Sequence, residues 1–153
     1  MDGLRALAIG FCVVAFAGCS SWISASGPIP PGPAPPNIGR PLVENPLFTE
    51  AEGNYGVTRT NPILVAHLAG ITPYSERLYL HRLRGPEGQS IEYRRSSSCC
   101  HFPTPNGVVA GIGLLDAYEV RYRGLPGPVT LYINMYDPGE GLKAPDGFTL
   151  LHP

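Results

Sequence analysis

The chain has 153 residues, a formal net charge of −1, 19 glycines and 18 prolines. A balance this close to neutral excludes a basic nucleic-acid-binding face and a strong field of either sign. That much glycine and proline excludes a mostly helical protein and favours short strands joined by turns.

The opening segment, "MDGLRALAIGFCVVAFAGCSS", sets Arg5 ahead of an apolar stretch from Leu7 to Ala17, with small residues before Cys19. A charged start, an apolar run of about a dozen residues and a small-residue cleavage site make up an export signal. The run is too short to span a bilayer, which takes about 20 apolar residues. "FAGC", Phe16 to Cys19, resembles the lipobox of bacterial lipoproteins. The resemblance implies that residues 1–18 are a lipoprotein signal peptide and that Cys19 is the lipid-attachment site, carrying palmitate and diacyl chains. Several acyl chains on one residue anchor stably, whereas a single chain binds a membrane only marginally. Ser20 after the cysteine implies sorting to the outer membrane, facing the periplasm. The expected address is the cell envelope, and the expected partners are the membrane, through the lipid, and an envelope protein.

Residues 19–53 read as the lipidated N-terminus and a linker. Within them "GPIPPGPAPPNIGRP", Gly27 to Pro41, has seven prolines and three glycines in fifteen residues. Prolines lack the N–H that helix and sheet need and hold the chain in extended polyproline II. At about 3.1 Å per residue the stretch would hold a domain up to roughly 45 Å from the membrane. Residues 54–153 are then one small α+β domain, with enough chain for one modest core.

"NPILVAHLAG", Asn61 to Gly70, reads as a short strand or buried turn. "TPYSERLYLHRLRGPEG", Thr72 to Gly88, reads as a helix capped by Thr72 or Ser75, started by Pro73 and stopped by Gly85 and Pro86. Tyr79, Leu80 and Leu83 give it one apolar side, while Arg77, Arg82 and Arg84 face out. "SIEYRRSSSCCHF", Ser90 to Phe102, is the next strand. "LLDAYEVRYRG" alternates Tyr118, Val120 and Tyr122 against Glu119, Arg121 and Arg123. "PVTLYINMYDPG" alternates Val129, Leu131, Ile133 and Met135 against Thr130, Tyr132, Asn134 and Tyr136. "GLPGP" between the last two suits a hairpin turn. "GFTLL", Gly147 to Leu151, reads as an edge strand. One short helix packed on a small antiparallel meander is the expected α+β architecture.

Four cysteines are present, of which Cys12 leaves with the signal and Cys19 takes the lipid, so Cys99 and Cys100 remain. Neighbouring side chains on a regular strand point to opposite faces, so these two could bond only at a bulge or distortion. Three readings stay open: ordinary buried cysteines, a vicinal disulfide, or a thiol-redox or metal site drawing on His101. Three consecutive ligands chelate one ion poorly, and no C-x-x-C is present, so the sequence commits to no metal and to no cofactor. Asp137, Glu140 and Asp146 could offer oxygens to calcium but lack the loop spacing, and their Asp-Pro-Gly and Asp-Gly pairs suit turns. Asp116 shares the alternation of Tyr118 and Val120, which turns it inward and calls for a partner such as Arg94 or Arg95. There is no nucleophile elbow, zinc-protease motif or phosphate loop, so no catalytic residue is assigned.

The pieces "NPILV", "ERLYLHRLRGPEGQSIEYRR", "SSCCHFPTPNG", "GLLDAYEVRY" and "LYINMYDPGEGLKAPDGF", in that order, resemble a family of small bacterial lipoproteins. Some members carry the name 2-dehydro-3-deoxyphosphooctonate aldolase. The resemblance implies a shared fold. That reaction belongs to eightfold βα barrels of about 250 residues, which a domain of roughly 100 residues cannot build. The expected function is therefore a membrane-anchored envelope lipoprotein that acts as a non-enzymatic binding module. A thiol-redox or metal protein using Cys99, Cys100 and His101 is the alternative, and an enzyme such as that aldolase is the remote one.

Overall fold

The computed structural model describes residues 21–29, 31–32, 41–48, 50 and 52–151. The signal segment 1–18, Cys12 and Cys19 lie outside the described residues. The fold is α+β. Three long strands form the meander: β4 (Ile91–Pro103), β5 (Ile112–Tyr122) and β6 (Val129–Asn134), antiparallel throughout. Two short strands extend it. β1 (Ile23–Ser24) pairs antiparallel with β4, and β2 (Ile63–Leu64) runs parallel to β6, giving the order β1-β4-β5-β6-β2.

β1 corrects the expected domain boundary. Ile23 faces Tyr93 and Ser24 faces Glu92 across the ladder, and the Ala25 N–H donates to the Ile91 carbonyl at 3.0 Å. Ala25 is buried in the core, and Asn45 is buried as well. The segment expected to be only a spacer thus supplies an edge strand and part of the interior. The proline-rich stretch follows β1, so it does not separate the sheet from residue 19.

Between β2 and β4 lie a one-turn helix, α1 (Ala66–Ala69), and the ten-residue α2 (Pro73–Arg82). Thr72 caps α2 in extended conformation, its Oγ1 accepting from the Tyr74 N–H at 3.3 Å, and Pro73 opens the first turn. The helix ends earlier than its sequence suggests. Leu83 turns extended (φ −70°, ψ 138°) and with Arg84 forms β3 (Leu83–Arg84), which pairs antiparallel with β7 (Thr149–Leu150). Another helical turn would have left Leu83 without the pairing that now buries it completely. Tertiary contact overrides the Gly85 stop signal.

Tyr79, Leu80 and Leu83 pack on Tyr93, Tyr118, Val120, Leu131 and Ile133, the inward positions of the meander. The opposite face is divided. Around Gly113, Leu115 and Ala117 it is buried, whereas Glu92, Arg94, Glu119, Arg121, Thr130 and Tyr132 leave the other half open to solvent. The hairpin joining β4 to β5 is tight at its root, where a Cβ on Gly107 would sit 2.4 Å from the Ile112 nitrogen. Leu80 is fully enclosed, so Leu80→Ala is expected to lower unfolding free energy by about 3 kcal/mol, while the exposed Thr130→Ala stays within about 0.5 kcal/mol. Urea denaturation of both variants checks this.

Candidate functional site

β4 loses register twice against β5, between Arg95 and Ser97 and again between Cys99 and His101. At the second shift Cys100 has no partner residue across the ladder and takes a left-handed φ of 61°. A bulge of this kind re-aims a side chain that a flat strand would send to the far face. Cys99 and Cys100 are joined there by a disulfide, both half-buried. His101 is exposed beside them, opposite Leu114. Both sulfurs are engaged by each other, and the structure brings no further ligand to His101. Among the described residues, no three His, Cys, Asp or Glu side chains converge as a metal site would require.

The first register shift lies beside a pair of buried carboxyl groups. Asp116 on β5 and Glu76 on α2 are both almost wholly enclosed. Asp116 Oδ1 accepts from Arg95 at 2.6 Å and from the Ser98 hydroxyl at 2.5 Å, and Arg95 also donates to Ser98. Of the two arginines offered by the sequence, Arg95 is therefore the partner, and Arg94 pairs with Glu119 on the other face. Glu76 Oε2 accepts from the Tyr118 hydroxyl at 2.7 Å.

Each carboxyl keeps one buried oxygen, Glu76 Oε1 and Asp116 Oδ2, with no conventional donor. Burial first, and the neighbouring Asp116 charge second, push Glu76 up to about 8, with a hydrogen bond between the two carboxyls adding to the shift. Two such groups side by side cannot both ionise at neutral pH. A proton held on Glu76 leaves one carboxyl neutral, and Arg95 pairs with Asp116. Burial, then the charge of Glu76, also raises Tyr118, which keeps it a neutral phenol donor.

A third cluster lies just past the ends of β4 and β6, close to Asp116, which pairs with Ile133 next to Asn134. Asp137 is fully buried and accepts from four neutral donors. Its Oδ1 takes the Asn106 amide at 2.9 Å and the Thr104 hydroxyl; its Oδ2 takes Asn45 at 2.9 Å and Asn134 at 2.8 Å. Asn134 Oδ1 returns to the Tyr136 and Asp137 N–H groups, and Asn106 brackets Val43 through both its N–H and its carbonyl. Glu140 and Asp146 are not drawn in. Glu140 lies exposed beside Lys143 at 3.6 Å, and Asp146 is exposed, so the three acids named as calcium candidates are separated.

Concave surface lies elsewhere. A cavity of about 690 Å3 is lined by Glu44, Asn45, Phe48, Glu50, Leu64 and Glu140, and it touches neither the carboxyl pair nor the cysteines. The carboxyl pair is thus chemically capable of acid–base work but holds α2 to β5 beneath Arg95 instead of facing this cavity. Sequence reasoning missed Glu76, although its place three and four residues before Tyr79 and Leu80 sets it on the apolar side of α2. It also missed Asn45, Thr104, Asn106 and Asn134, for which no local pattern speaks.

Compared with known protein families, curated proteins and solved structures, the chain matches none of them.

Two outcomes test these clusters. Glu76 holds a proton in the folded state up to about pH 8 that the unfolded chain loses near pH 4.5, so its contribution is full below 4.5 and is lost as pH rises to about 8. Wild type is expected to lose stability across that window relative to Glu76→Gln, by up to about 1.4 kcal/mol per pH unit; thermal melts of both proteins from pH 4 to 9 measure the difference. Asp137→Asn turns an amide N–H2 toward two donors and is expected to cost roughly 3 kcal/mol or more of unfolding free energy, read by urea titration.

Proposed function

We propose that this chain is a lipid-anchored module of the bacterial cell envelope, held in the outer membrane by Cys19 and facing the periplasm. It acts as a non-enzymatic binding module for an envelope protein. The observation that supports this reading is the Cys99–Cys100 disulfide. Such bonds persist in oxidising compartments and are rare in the cytosol, which agrees with the export signal in residues 1–18. The membership in a small lipoprotein family suggested by the sequence pieces belongs to the same proposal.

The β4–β5 hairpin end offers the contact surface. Val109 is 75% exposed, with Val108 next to it and Ile112 bridged to it, and Val43, Leu47, Pro103 and Pro105 share a shallow apolar hollow next to the loop. Apolar side chains gathered in this way on an otherwise polar body mark interaction sites more often than chance exposure does.

The disulfide itself favours one second reading, a thiol-redox role. It is half-exposed, and His101 beside it is the residue a metal form of that reading would recruit once the thiols were reduced. An enzymatic role, the named aldolase included, would need turnover by the purified protein.

Intact mass of the protein extracted from membranes is expected to show loss of residues 1–18, acyl chains on Cys19, and the hydrogen deficit of a closed Cys99–Cys100 bond. A full-length, unmodified product with both thiols free would overturn the proposal. Rapid opening of the bond by glutathione would favour the thiol-redox reading over the binding one.

A further inference from the structure

The open half of the sheet face opposite α2 carries an arrangement that the binding role does not use. Trp22, the only tryptophan, lies with its ring under two guanidinium groups, Arg121 at 4.1 Å and Arg94 at 5.1 Å from the ring centroid. Each arginine is also held by a glutamate across the β4–β5 ladder, Arg121 by Glu92 and Arg94 by Glu119, both at 2.6 Å. Further along, Arg59 lies 5.8 Å from the ring centroid of Tyr132. Aromatic rings interleaved with arginines, on a face that no helix covers, are the composition of a surface at a membrane–water boundary.

Chain length decides the occupant. Trp22 stands one residue before β1, whose pairing with β4 fixes it to the sheet edge. Only three residue steps connect Cys19 to Trp22, which span at most about 11 Å when fully extended. A lipid on Cys19 therefore cannot leave this edge, because the proline-rich stretch that could have served as a spacer comes later in the chain. We infer that the open half of this face rests on the lipid surface, with Trp22 at headgroup depth and Arg59, Arg94 and Arg121 reaching phosphates. The inference depends on the lipid-anchor reading above. Because Glu92 and Glu119 cancel two of the three arginines, the face attracts anionic headgroups weakly. The acyl chains supply the affinity and the face sets the orientation.

The lone tryptophan makes the test direct. Full-length mature protein is purified from membranes, reconstituted into phosphatidylethanolamine and phosphatidylglycerol vesicles with brominated acyl chains, and recovered by flotation. Trp22 emission is expected to shift to the blue and to fall by about half or more, since a ring seated at the interface comes within reach of bromines on the upper acyl chain and one left in water does not. A flexible insertion between Ser20 and Ser21 is expected to preserve flotation and restore the emission. Protein that floats while Trp22 stays open to acrylamide and insensitive to brominated lipid would overturn the orientation and leave the anchor standing. Shielding from both quenchers would assign the face to a protein neighbour and overturn it equally. Failure to float, with no acyl mass on Cys19, would remove the anchor reading and this inference together.

Discussion

The fold depends on one buried negative charge that no cation neutralises. Among the described residues, the Asp137 carboxylate is met by three amides and a hydroxyl, and these come from three separate places in the chain. A carboxylate taken out of water costs several kcal/mol unless its lone pairs are filled. Here every lone pair has a donor, and each donor is itself anchored: Asn134 through the turn that follows β6, Asn106 through Val43, and Asn45 through the Pro103 carbonyl. The Asp137 carbonyl also accepts from the Ala66 N–H, which starts α1. Removing any strand of this web leaves polar groups stranded in the interior. The segment carrying Asn45, the hairpin loop and the end of β6 are therefore positioned as one unit.

The second buried acidic cluster solves the same problem in another way. Asp116 and Glu76 meet where α2 crosses β5, and too few donors are present to ionise both. Protonation of Glu76 lowers the buried charge, with Tyr118 donating to Glu76 Oε2 and Arg95 to Asp116 Oδ1. The two neighbouring clusters thus use different chemistries, a fully hydrogen-bonded carboxylate in one and a protonated Glu76 beside Asp116 in the other. In the second, burial and the Asp116 charge push Glu76 up to about 8. Both clusters adjoin irregular strand, since β4 slips register opposite Tyr118 and Ala117, beside Asp116, and again before the loop that delivers Thr104 and Asn106.

Much of the core was legible. Alternation in "YEVRY" and "VTLYI" reports faces correctly because side chains on a strand have period two, and Tyr118, Val120, Leu131 and Ile133 are inside. Asp116 could be read as inward for the same reason, along with its need for an arginine. What escaped was set by residues distant in sequence. Asn134 alternates with Tyr132 and reads as exposed, but it is buried where the segments carrying Asn45 and Asn106 meet it at Asp137. Leu83 reads as helix because local spacing cannot see β7. Trp22 to Ala25 read as linker because a two-residue edge strand has no periodicity to detect. The Cys-Cys pair left its alternatives open for a related reason: the bulge that lets Cys100 turn back toward Cys99 is a property of pairing with β5, absent from the strand's own residues.

The web around Asp137 also has a kinetic meaning. Asn45 and Asp137 are 92 residues apart, and the loop holding Thr104 and Asn106 must be seated as well. Contacts closing so much chain are late and slow to form. Until β6 and the turn after it are in place, the segments carrying Asn45, Thr104 and Asn106 have no Asp137 carboxylate around which to lock. Because the acid follows all three strands of the meander, closure of this web is a late event in folding.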